Sequence, residues 1–305
     1  MRVVVTGASS MIACALIRLL VSQGHEVFAL VRPDSKKTDN IIKSDSVHVI
    51  ETDISDVLSA RGKIGCDCDA LFHFAWCGTA GALRNNADIQ QKNVQYTLDA
   101  VELAKLLSCK AFVGAGSQAE YGRAEGKLTA DTPCNPENEY GKAKLEAGKK
   151  SRELALSFGI KHVWLRVLSV YGVGDNGFTI TVSSLRKLMN GETAEFTPAE
   201  QLWDFLYCDD AANAFYLAAT KGKNGAVYTL GSGKARPLKE YIEIMQEKAG
   251  GRIELGALPY NENQVMYLCA DISALTADTG FAPKIGYGEG ISRTINWLKE
   301  VNSNG

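Results

Sequence analysis

The sequence contains no run of ~18 consecutive apolar residues, which is the length that a membrane-spanning helix needs. Its net charge is only -2, so neither nucleic acid nor an anionic membrane is expected as a partner. Residues 1–5 are typical of a first strand rather than an export signal. With 46% hydrophobic and 22% charged residues among 305, the composition is that of a globular protein, and we expect a cytoplasmic location.

The cysteines lack the spacing of a metal site or of a disulfide framework. Eight are scattered along the chain, and without an export signal we expect them to stay reduced. Cys66 and Cys68 form the only close pair, and no second Cys or His pair follows at a spacing suited to zinc. No histidine marks a cysteine nucleophile either. The sequence therefore predicts neither a metal nor cysteine catalysis.

Apolar runs alternate with helical patterns over the first 170 residues. Strands are predicted at 2–6, 26–31, 46–51, 70–75, 110–115 and 161–167, and helices at 12–24, 86–107 and 138–158. Strands that alternate with helices over short connections indicate right-handed βαβ units and a parallel sheet. We therefore expect an α/β, Rossmann-type doubly wound sheet, with ligands beyond the carboxyl ends of its strands.

The alternating pattern weakens after Tyr171. Helices are predicted near 178–190, 209–220, 238–249, 271–279 and 289–300, and a strand at 226–230. We expect a dinucleotide-binding domain over residues 1–170, to which segments near 204–231 return, and a smaller substrate-binding lobe over 171–305. No Pro- or Ser-rich linker separates the two, so they should pack closely.

The first strand-to-helix turn, residues 7–13, is poor in glycine. A G-x-x-G-x-x-G pattern would need three glycines, but only Gly7 is present, and Ser10 and Ala13 take the other places. Small residues still allow a pyrophosphate to approach the helix N-terminus, and Ser9 or Ser10 can add a hydroxyl. The alternative is a tight turn capped by a serine. The position in the first βα unit favours a dinucleotide cofactor.

The second predicted strand ends without the carboxylate that usually binds the ribose of NAD. It is followed by Arg32 and Pro33, and no acidic residue occurs before Asp34. An arginine at this point can pair with the 2′-phosphate of NADP, and Lys36 or Lys37 can assist. The alternative is a solvated arginine. We therefore expect NADP, with NAD as the alternative.

Tyr140 and Lys144 lie on one face of a predicted helix, one turn apart. A free tyrosine titrates near ~10, and a nearby positive charge favours its phenolate, so the pair can act as a proton-transfer unit. The spacing is common by chance, and the alternative is two residues of a surface helix. The sheet and turn that precede the pair favour a site.

Taken together, these features resemble the extended short-chain dehydrogenase/reductase family, in its NAD-dependent epimerase/dehydratase branch, over essentially the whole chain. Besides Tyr140 and Lys144, the matching residues are Thr6-Gly7, Asp53-Ile54, His73-Phe74-Ala75, Asn93, the run from Gly116 to Gly122, Arg166, Tyr171-Gly172, Asp204 and Asp209-Asp210. The resemblance implies an NAD(P)-dependent oxidoreductase, a nucleotide-sugar substrate and a homodimer built from the two long helices. The alternative is that these helices only cover the sheet.

The resemblance also implies a role for each matching residue. Tyr140 would be the acid/base at the sugar oxygen, Lys144 would bind the nicotinamide ribose and lower the phenol pKa, and Ser117 would hydrogen-bond the reacting oxygen. The cofactor would contact Gly7, Ser9, Ser10, Met11, Ile12, Arg32, Asp53, Ile54, Phe74, Ala75, Trp76, Asn93, Ala115, Tyr140, Lys144, Leu168 and Val170. The substrate would contact Ser117, Ser169, Phe178, Gln201, Trp203 and Arg236.

The absence of carboxylates directly after Ser117 narrows the range of reactions that we expect. Sugar 4,6-dehydratases of this family typically carry Asp-Glu directly after the catalytic Thr or Ser, where this chain has Gln118 and Ala119. The run from Ser117 to Gly122 looks more like nucleotide-4-keto-6-deoxysugar reductases. We expect NADPH-dependent reduction of a nucleotide-linked 4-keto-6-deoxysugar. The alternatives are a 4-epimerase with tightly bound NAD and, given the eroded glycine turn, a non-catalytic dinucleotide sensor.

The expected contacts to the substrate diphosphate are altered as well. Ser169 stands where the family often has Asn, and Trp203 stands where it often has Arg. A basic contact is therefore missing, or it is replaced by Arg236 or Arg186. Trp76 and Trp203 either stack on a base or sugar or pack between the lobes.

Overall fold

The computed structural model describes residues 1–35, 37–262 and 264–303, so Lys36 lies outside the described residues. Within them, the strands that carry more than three residues are β1 (Arg2–Thr6), β2 (Glu26–Val31), β3 (Val47–Glu51), β4 (Ala70–His73), β5 (Ala111–Ser117), β6 (Lys161–Val167), β8 (Thr193–Phe196), β11 (Ala226–Leu230) and β13 (Arg252–Leu255). The shorter strands are β7 (Ser169–Tyr171), β9 (Leu202–Trp203), β10 (Phe205–Tyr207), β12 (Arg236–Pro237) and β14 (Tyr267–Leu268). The α-helices are α1 (Met11–Ser22), α2 (Ala60–Ile64), α3 (Ala87–Leu106), α4 (Glu139–Ser157), α5 (Ile180–Met189), α6 (Cys208–Lys221), α7 (Leu238–Ala249), α8 (Ser273–Thr279) and α9 (Tyr287–Ser303).

A seven-stranded sheet forms the centre of the molecule. Its order is β3-β2-β1-β4-β5-β6-β11, and every neighbouring pair is parallel. The order reverses at β1 and β4, which is the point where open α/β sheets bind their ligands. The predicted Rossmann-type fold is confirmed.

Continuous apolar strands make this sheet buried on both faces. Val3, Val4 and Val5 of β1 have no exposed surface. Val3 and Val5 face α1 and α6, whereas Val4 belongs to the core beneath α3. Because successive side chains point to opposite faces, an unbroken run of valines requires helices on both sides.

The second half of the chain returns to the sheet before it builds smaller units. The predicted strand at 226–230 is present as β11, which pairs with β6. Other segments form small sheets from β7 and β10, from β9, β12 and β14, and from β8 and β13. The buried carboxylate of Asp204 ties these segments together, since it accepts hydrogen bonds from the backbone N–H groups of Ser232, Gly233 and Ala270.

Element boundaries differ from the predicted ones mainly around the ligand edge of the sheet. Strand β4 ends at His73 rather than at 75, and β5 continues to Ser117 rather than ending at 115. The two- to four-residue strands of the second half were not predicted, because so short a segment shows no periodicity. No α-helix of the described residues has the length and apolarity to cross a membrane.

Candidate active site

The carboxyl end of β5 and the first turn of α4 form the centre of the candidate site. Asn138 caps α4, and its side chain accepts a hydrogen bond of 2.8 Å from the backbone N–H of Gly141. A Cβ atom at Gly141 would collide with the backbone carbonyl of Ala119, so only glycine lets the helix approach this closely. The approach brings Tyr140 into hydrogen-bonding contact with Ser117, the last residue of β5.

Tyr140 is buried, and burial is the largest influence on its acidity. It raises the pKa of the phenol above the ordinary value, because the charged phenolate loses its hydration. The hydrogen bond with Ser117 and the positive charge of Arg84 act in the opposite direction, and Glu120 adds to the rise. The phenol is therefore held in its protonated form by the protein alone.

Lys144 lies one turn further along α4, and its side chain is turned into the protein. Its Nζ donates a hydrogen bond of 2.7 Å to the backbone carbonyl of Ala115 and lies 3.6 Å from the ring centroid of Trp76. The Tyr140 ring centroid is 5.9 Å away. Burial lowers the pKa of the ammonium to about 7, against the opposing charge of Glu120. Near neutral pH this amine is therefore able to change its protonation state.

Glu120 holds the loop that carries Ser117. Its carboxylate accepts a hydrogen bond of 2.8 Å from the backbone N–H of Ser117, and the Ser117 hydroxyl in turn accepts one from the backbone N–H of Ala119. The same carboxylate pairs with the buried guanidinium of Arg166 at 2.7 Å and accepts a hydrogen bond from the indole of Trp164. Glu120 is 1% exposed, so it faces the interior rather than the site.

A loop after β4 brings a second cation to Tyr140. The guanidinium carbon of Arg84 lies 4.1 Å from the centroid of the Tyr140 ring. Its Nη1 donates a hydrogen bond of 2.8 Å to the backbone carbonyl of Thr79 in the same loop. Among the described residues, Arg84 is thus the cation closest to the phenol ring, and Lys144 lies further away.

The turn between β1 and α1 fits a dinucleotide pyrophosphate. Gly7 has a φ of 64°, and a Cβ atom there would lie 2.6 Å from the backbone nitrogen of Ala75. Helix α1 begins at Met11, no acidic residue lies in its first turn, and the side chain of its N-cap, Ser10, makes no capping hydrogen bond. The free N–H groups and the Ser10 hydroxyl are therefore available to an anion, although two of the three expected glycines are absent. Ser9 and Ile12 flank the same turn.

At the end of β2, Arg32 is exposed and lies near Asp53. Asp53 caps the short helix that starts at Ile54, and hydrogen bonds from Ser55, together with the charge of Arg32, lower the pKa of its carboxyl. Lys37 bonds instead to the side chain of Asn176 at 2.9 Å. Arg32 therefore lies directly after β2, exposed to solvent, and the carboxylate of Asp53 is close to it.

The other predicted cofactor residues lie along the same edge of the sheet with different surroundings. Phe74 packs on Phe215 of α6, with ring centroids 4.6 Å apart. Asn93 is buried and bonds through its side chain to both backbone groups of Cys77. Trp76 donates a hydrogen bond of 2.8 Å to the side chain of Gln90 and meets the Tyr140 ring edge-on.

A cavity of about 530 Å³ extends from this edge into the second half of the chain. Of the predicted residues, Leu168, Ser169, Val170, Gln201 and Trp203 line it. The indole of Trp203 donates a hydrogen bond of 2.7 Å to the hydroxyl of Ser169, so the two residues that depart from the family pattern bond to each other.

Three of the predicted substrate residues do not line this cavity, namely Ser117, which lies at the end of β5, Phe178 and Arg236. Phe178 is 73% exposed, and Arg236 is also exposed. Arg186 lies in the last turn of α5, and its guanidinium is beside Gly177, which precedes that helix. Among the described residues, those that line the cavity include Asp175 and Glu195, which carry carboxylates, but no Lys or Arg. Burial raises the pKa of Asp175 to about 6. The hydrogen bonds that its carboxylate accepts from Thr179 and Asn176 act in the opposite direction.

Arg84, Glu120 and Gln90 were missed by the sequence prediction. Glu120 had a recognisable signal, since Ser117 and Glu120 form the S-x-x-E capping box that the structure contains. Arg84 had none, because its contact with Tyr140 joins segments that are far apart in the sequence. Within the part of the chain that the structure describes, no cluster of three or more His, Cys, Asp or Glu could hold a metal ion.

Comparison with known proteins agrees with this geometry. The model of the NAD dependent epimerase/dehydratase family matches residues 3–231. The chain belongs to this family, and it is an enzyme of the extended short-chain dehydrogenase/reductase type.

Relatives of differing activity resemble the chain about equally. It is 26% identical to CDP-abequose synthase of Salmonella muenchen, with 98% of each chain covered. It is 27% identical to a putative UDP-glucose 4-epimerase of Methanocaldococcus jannaschii, with 98% of this chain and 99% of that one covered. It is also 27% identical to dTDP-6-deoxy-L-talose 4-dehydrogenase (NAD(P)(+)) of Kitasatospora kifunensis, over 93% and 91% of the two chains.

Solved structures resemble the fold over nearly its full length. The UDP-glucose 4-epimerase of Thermotoga maritima with UDP-glucose has a TM-score of 0.87 at 21% identity, covering 99% of this chain and 100% of that one. The UDP-glucose 4-epimerase of Thermus thermophilus in complex with NAD has a TM-score of 0.86 at 22% identity, covering 98% and 99%. At these identities the likeness shows the fold alone.

Proposed function

We propose that this enzyme uses NADPH to reduce the 4-keto group of a nucleotide-linked 6-deoxysugar. The observation that carries the proposal is the surroundings of Ser117. Its neighbours Gln118 and Ala119 carry no carboxylate, and the nearby Glu120 is buried against Arg166. An elimination would need a further acid or base here, whereas a carbonyl reduction needs one proton donor, which Tyr140 supplies.

Each residue of the group has a distinct part in this proposal. The cofactor, when bound, supplies the hydride. The Tyr140 phenol donates the proton to the reduced oxygen, and the Ser117 hydroxyl orients that oxygen and stabilises its developing charge. Burial lowers the pKa of the Lys144 ammonium, so this group would be the proton source for the phenolate that remains after the transfer.

The proposed preference for NADPH depends on Arg32. Its guanidinium is exposed at the end of β2, where it can form a charge-assisted pair with a 2′-phosphate. The name of the related talose dehydrogenase includes NAD(P)(+), which is consistent with either cofactor, and the structurally similar epimerase in complex with NAD supports NAD. The variant Arg32→Ala tests this preference, because it should weaken the binding of NADPH more than the binding of NADH.

Substrate binding is proposed for the cavity beyond the sheet. The nucleotide base would lie between Gln201 and Trp203, and Arg236 would reach the diphosphate in place of the missing arginine. Arg236 pairs with Trp203 across two antiparallel strands, so both side chains start on the same face of that small sheet. Burial raises the pKa of Tyr241, whose hydroxyl bonds to the carbonyl of Trp203, and the nearby charge of Arg236 opposes this rise.

Domain organisation follows from the same assignment. We propose that residues 1–170, with the returning β11, bind the cofactor, and that residues 171–305 mainly bind the nucleotide-sugar. We further propose that the chain forms a homodimer through the outward faces of α3 and α4.

The test is incubation with NADPH and CDP-, dTDP- or GDP-4-keto-6-deoxyhexoses while the absorbance of the reduced cofactor is followed. We expect consumption with one of them, and a loss of at least about 100-fold in kcat for Tyr140→Phe. Tyr216→Phe, at a half-buried position of α6 where the ring stacks on His25, is the matched control and should keep full activity. Lack of NADPH consumption with every sugar, or an active Tyr140→Phe enzyme, would refute the proposal.

A 4-epimerase is the second candidate. The putative epimerase among the relatives and the carboxylate of Asp53 close to Arg32 favour it. It predicts NAD retained through purification and interconversion of C4 epimers without net cofactor consumption. The same reaction mixtures, examined by NMR of the sugar, distinguish the two functions.

A further inference from the structure

We propose that Arg84 is a positioning residue for Tyr140: its guanidinium stabilises the phenolate and so sets the pH at which Tyr140 exchanges its proton. This inference rests on the proposed function, in which Tyr140 is the acid/base. The test below needs no substrate, so its failure can be told apart from failure of the proposed reaction.

The geometry favours Arg84 over Lys144 as the cation that faces the phenol. The guanidinium carbon lies 4.1 Å from the Tyr140 ring centroid, against 5.9 Å for Nζ of Lys144. A cation above an aromatic ring is attracted by the ring itself, and more strongly once the ring carries negative charge. Arginine side chains in proteins also keep their charge across the physiological pH range.

In its position in the structure, Lys144 is less well placed than Arg84 to stabilise the phenolate. Its amine is engaged by the carbonyl of Ala115 and the ring of Trp76. Burial also lowers the pKa of this amine, which weakens the positive charge that it offers to the phenolate. A second, permanent cation over the ring would therefore add to what Lys144 supplies.

The loop that carries Arg84 is fixed to the protein rather than free. The amide of Gln90 donates hydrogen bonds to the backbone carbonyls of Gly78 and Leu83, at 2.8 and 2.9 Å. Asn93 holds both backbone groups of Cys77 at the start of the loop. Gly78 has a φ of 71°, and a Cβ atom there would lie 2.9 Å from Cβ of Leu83. Arg84 is therefore pre-oriented, and little entropy is lost in keeping it over the ring.

The other groups that face Tyr140 do not replace this charge. Ser117 hydrogen-bonds to the phenol but is neutral. Glu120 opposes the phenolate, and the charge of its carboxylate is paired with Arg166 beneath the site. Trp76 meets the ring edge-on and carries no charge. Removal of Arg84 should therefore raise the pKa of Tyr140 beyond the effect of burial.

A spectroscopic titration tests this inference. A fluorinated tyrosine, whose phenol is intrinsically more acidic, is incorporated at position 140 of the full chain, and its ¹⁹F shift is followed against pH. The same probe is placed in Arg84→Gln, which removes the charge, and in Arg84→Lys, which keeps it. Arg293→Gln is the matched control, because that guanidinium lies 5.7 Å from another tyrosine ring, that of Tyr207. Thermal melting of each variant establishes that it is folded.

We expect the probe in Arg84→Gln to titrate about one pH unit higher than in the wild-type chain, and Arg84→Lys to lie between them. Arg293→Gln should titrate like the wild type. The inference is overturned if Arg84→Gln and the wild type titrate together, or if Arg84→Lys behaves like Arg84→Gln. The first result would make Arg84 a stacking contact only, and the second would assign the effect to loop geometry.

Discussion

Burial disfavours the charged forms of both Tyr140 and Lys144. It raises the pKa of the phenol and lowers that of the ammonium to about 7, so the free protein holds a neutral tyrosine beside a partly neutral lysine. Single charges therefore have large effects in this site. The two that matter most are Glu120, which favours the charged form of Lys144, and Arg84, which favours the phenolate.

The lowered pKa of Lys144 predicts a specific dependence of stability on pH. In the unfolded chain a lysine titrates near ~10.4, so between pH 7 and that value the unfolded state binds more protons. Stability should therefore rise with pH across this window. Relative to Lys144→Met, the wild-type free energy of unfolding should increase by about 1.4 kcal/mol per pH unit from pH 7 to 9.

Urea unfolding of both proteins at several pH values measures this difference. Lys142→Met, an exposed position on the same helix, is the control and should show no such trend. A constant difference between Lys144→Met and the wild type over the whole range would contradict the shifted pKa.

The buried pair of Glu120 and Arg166 predicts a strong residue-level effect on stability. Glu120→Gln leaves the Arg166 guanidinium buried without its counter-charge, which should cost about 3 kcal/mol. Glu146→Gln breaks an exposed ion pair on α4 and should cost less than about 1 kcal/mol. Equal midpoints for the two variants in urea would show that the buried pair does not stabilise the fold.

The residues of the candidate site lie at the ends of strands and helices. Ser117 ends β5 and caps the short helix after it, Asn138 caps α4, and Gly7 lies in the turn before α1. Most of the long strands and helices were predicted to within about two residues, because their periodicity and caps are local, whereas the last helix, predicted to end at 300, continues to Ser303. Short strands such as β9 and β12 were missed, since only their partners in space make them strands.

The turn between β1 and α1 yields the element-scale prediction. Gly7→Ala should abolish cofactor binding and destabilise the protein, since the new Cβ meets the backbone of Ala75 as well as a positive φ. Gly24 has a similar φ of 73° but no atom within 4 Å, so Gly24→Ala reports the backbone strain alone. NADPH fluorescence titration and urea unfolding compare the two. Equal losses in both variants would show that close approach is not the requirement at Gly7.

Assembly belongs to the scale of the whole molecule. Helices α3 and α4 pack on each other, and a shallow depression on their outward surface is lined by Val94 and Leu98 together with the polar side chains of Asp88, Gln91, Lys92, Gln95 and Lys150. A dimer through such a surface would combine apolar contact with charge pairs and hydrogen bonds.

The proposed homodimer should therefore be sensitive to salt. Light scattering should give the mass of two chains in dilute buffer and a shift toward one chain at 1 M salt, where the screening length falls to about 3 Å. Lys92→Glu should shift the balance toward single chains at low salt. A single-chain mass at every concentration would rule out the dimer, and a mass unaffected by salt would place the interface elsewhere.

Local patterns in the sequence determined the class of fold, the pairing of Tyr140 with Lys144 on one helix face and the absence of a carboxylate at 118 and 119, and the resemblance to the family added Ser117. These features lie within single elements or at their ends, where periodicity, capping and residue type are sufficient. Only the tertiary structure decided that Arg84, rather than Lys144, lies closest to the Tyr140 ring, and that Glu120 turns inward to Arg166. Both depend on the distance between distant segments and on burial, and the folded packing sets these two quantities.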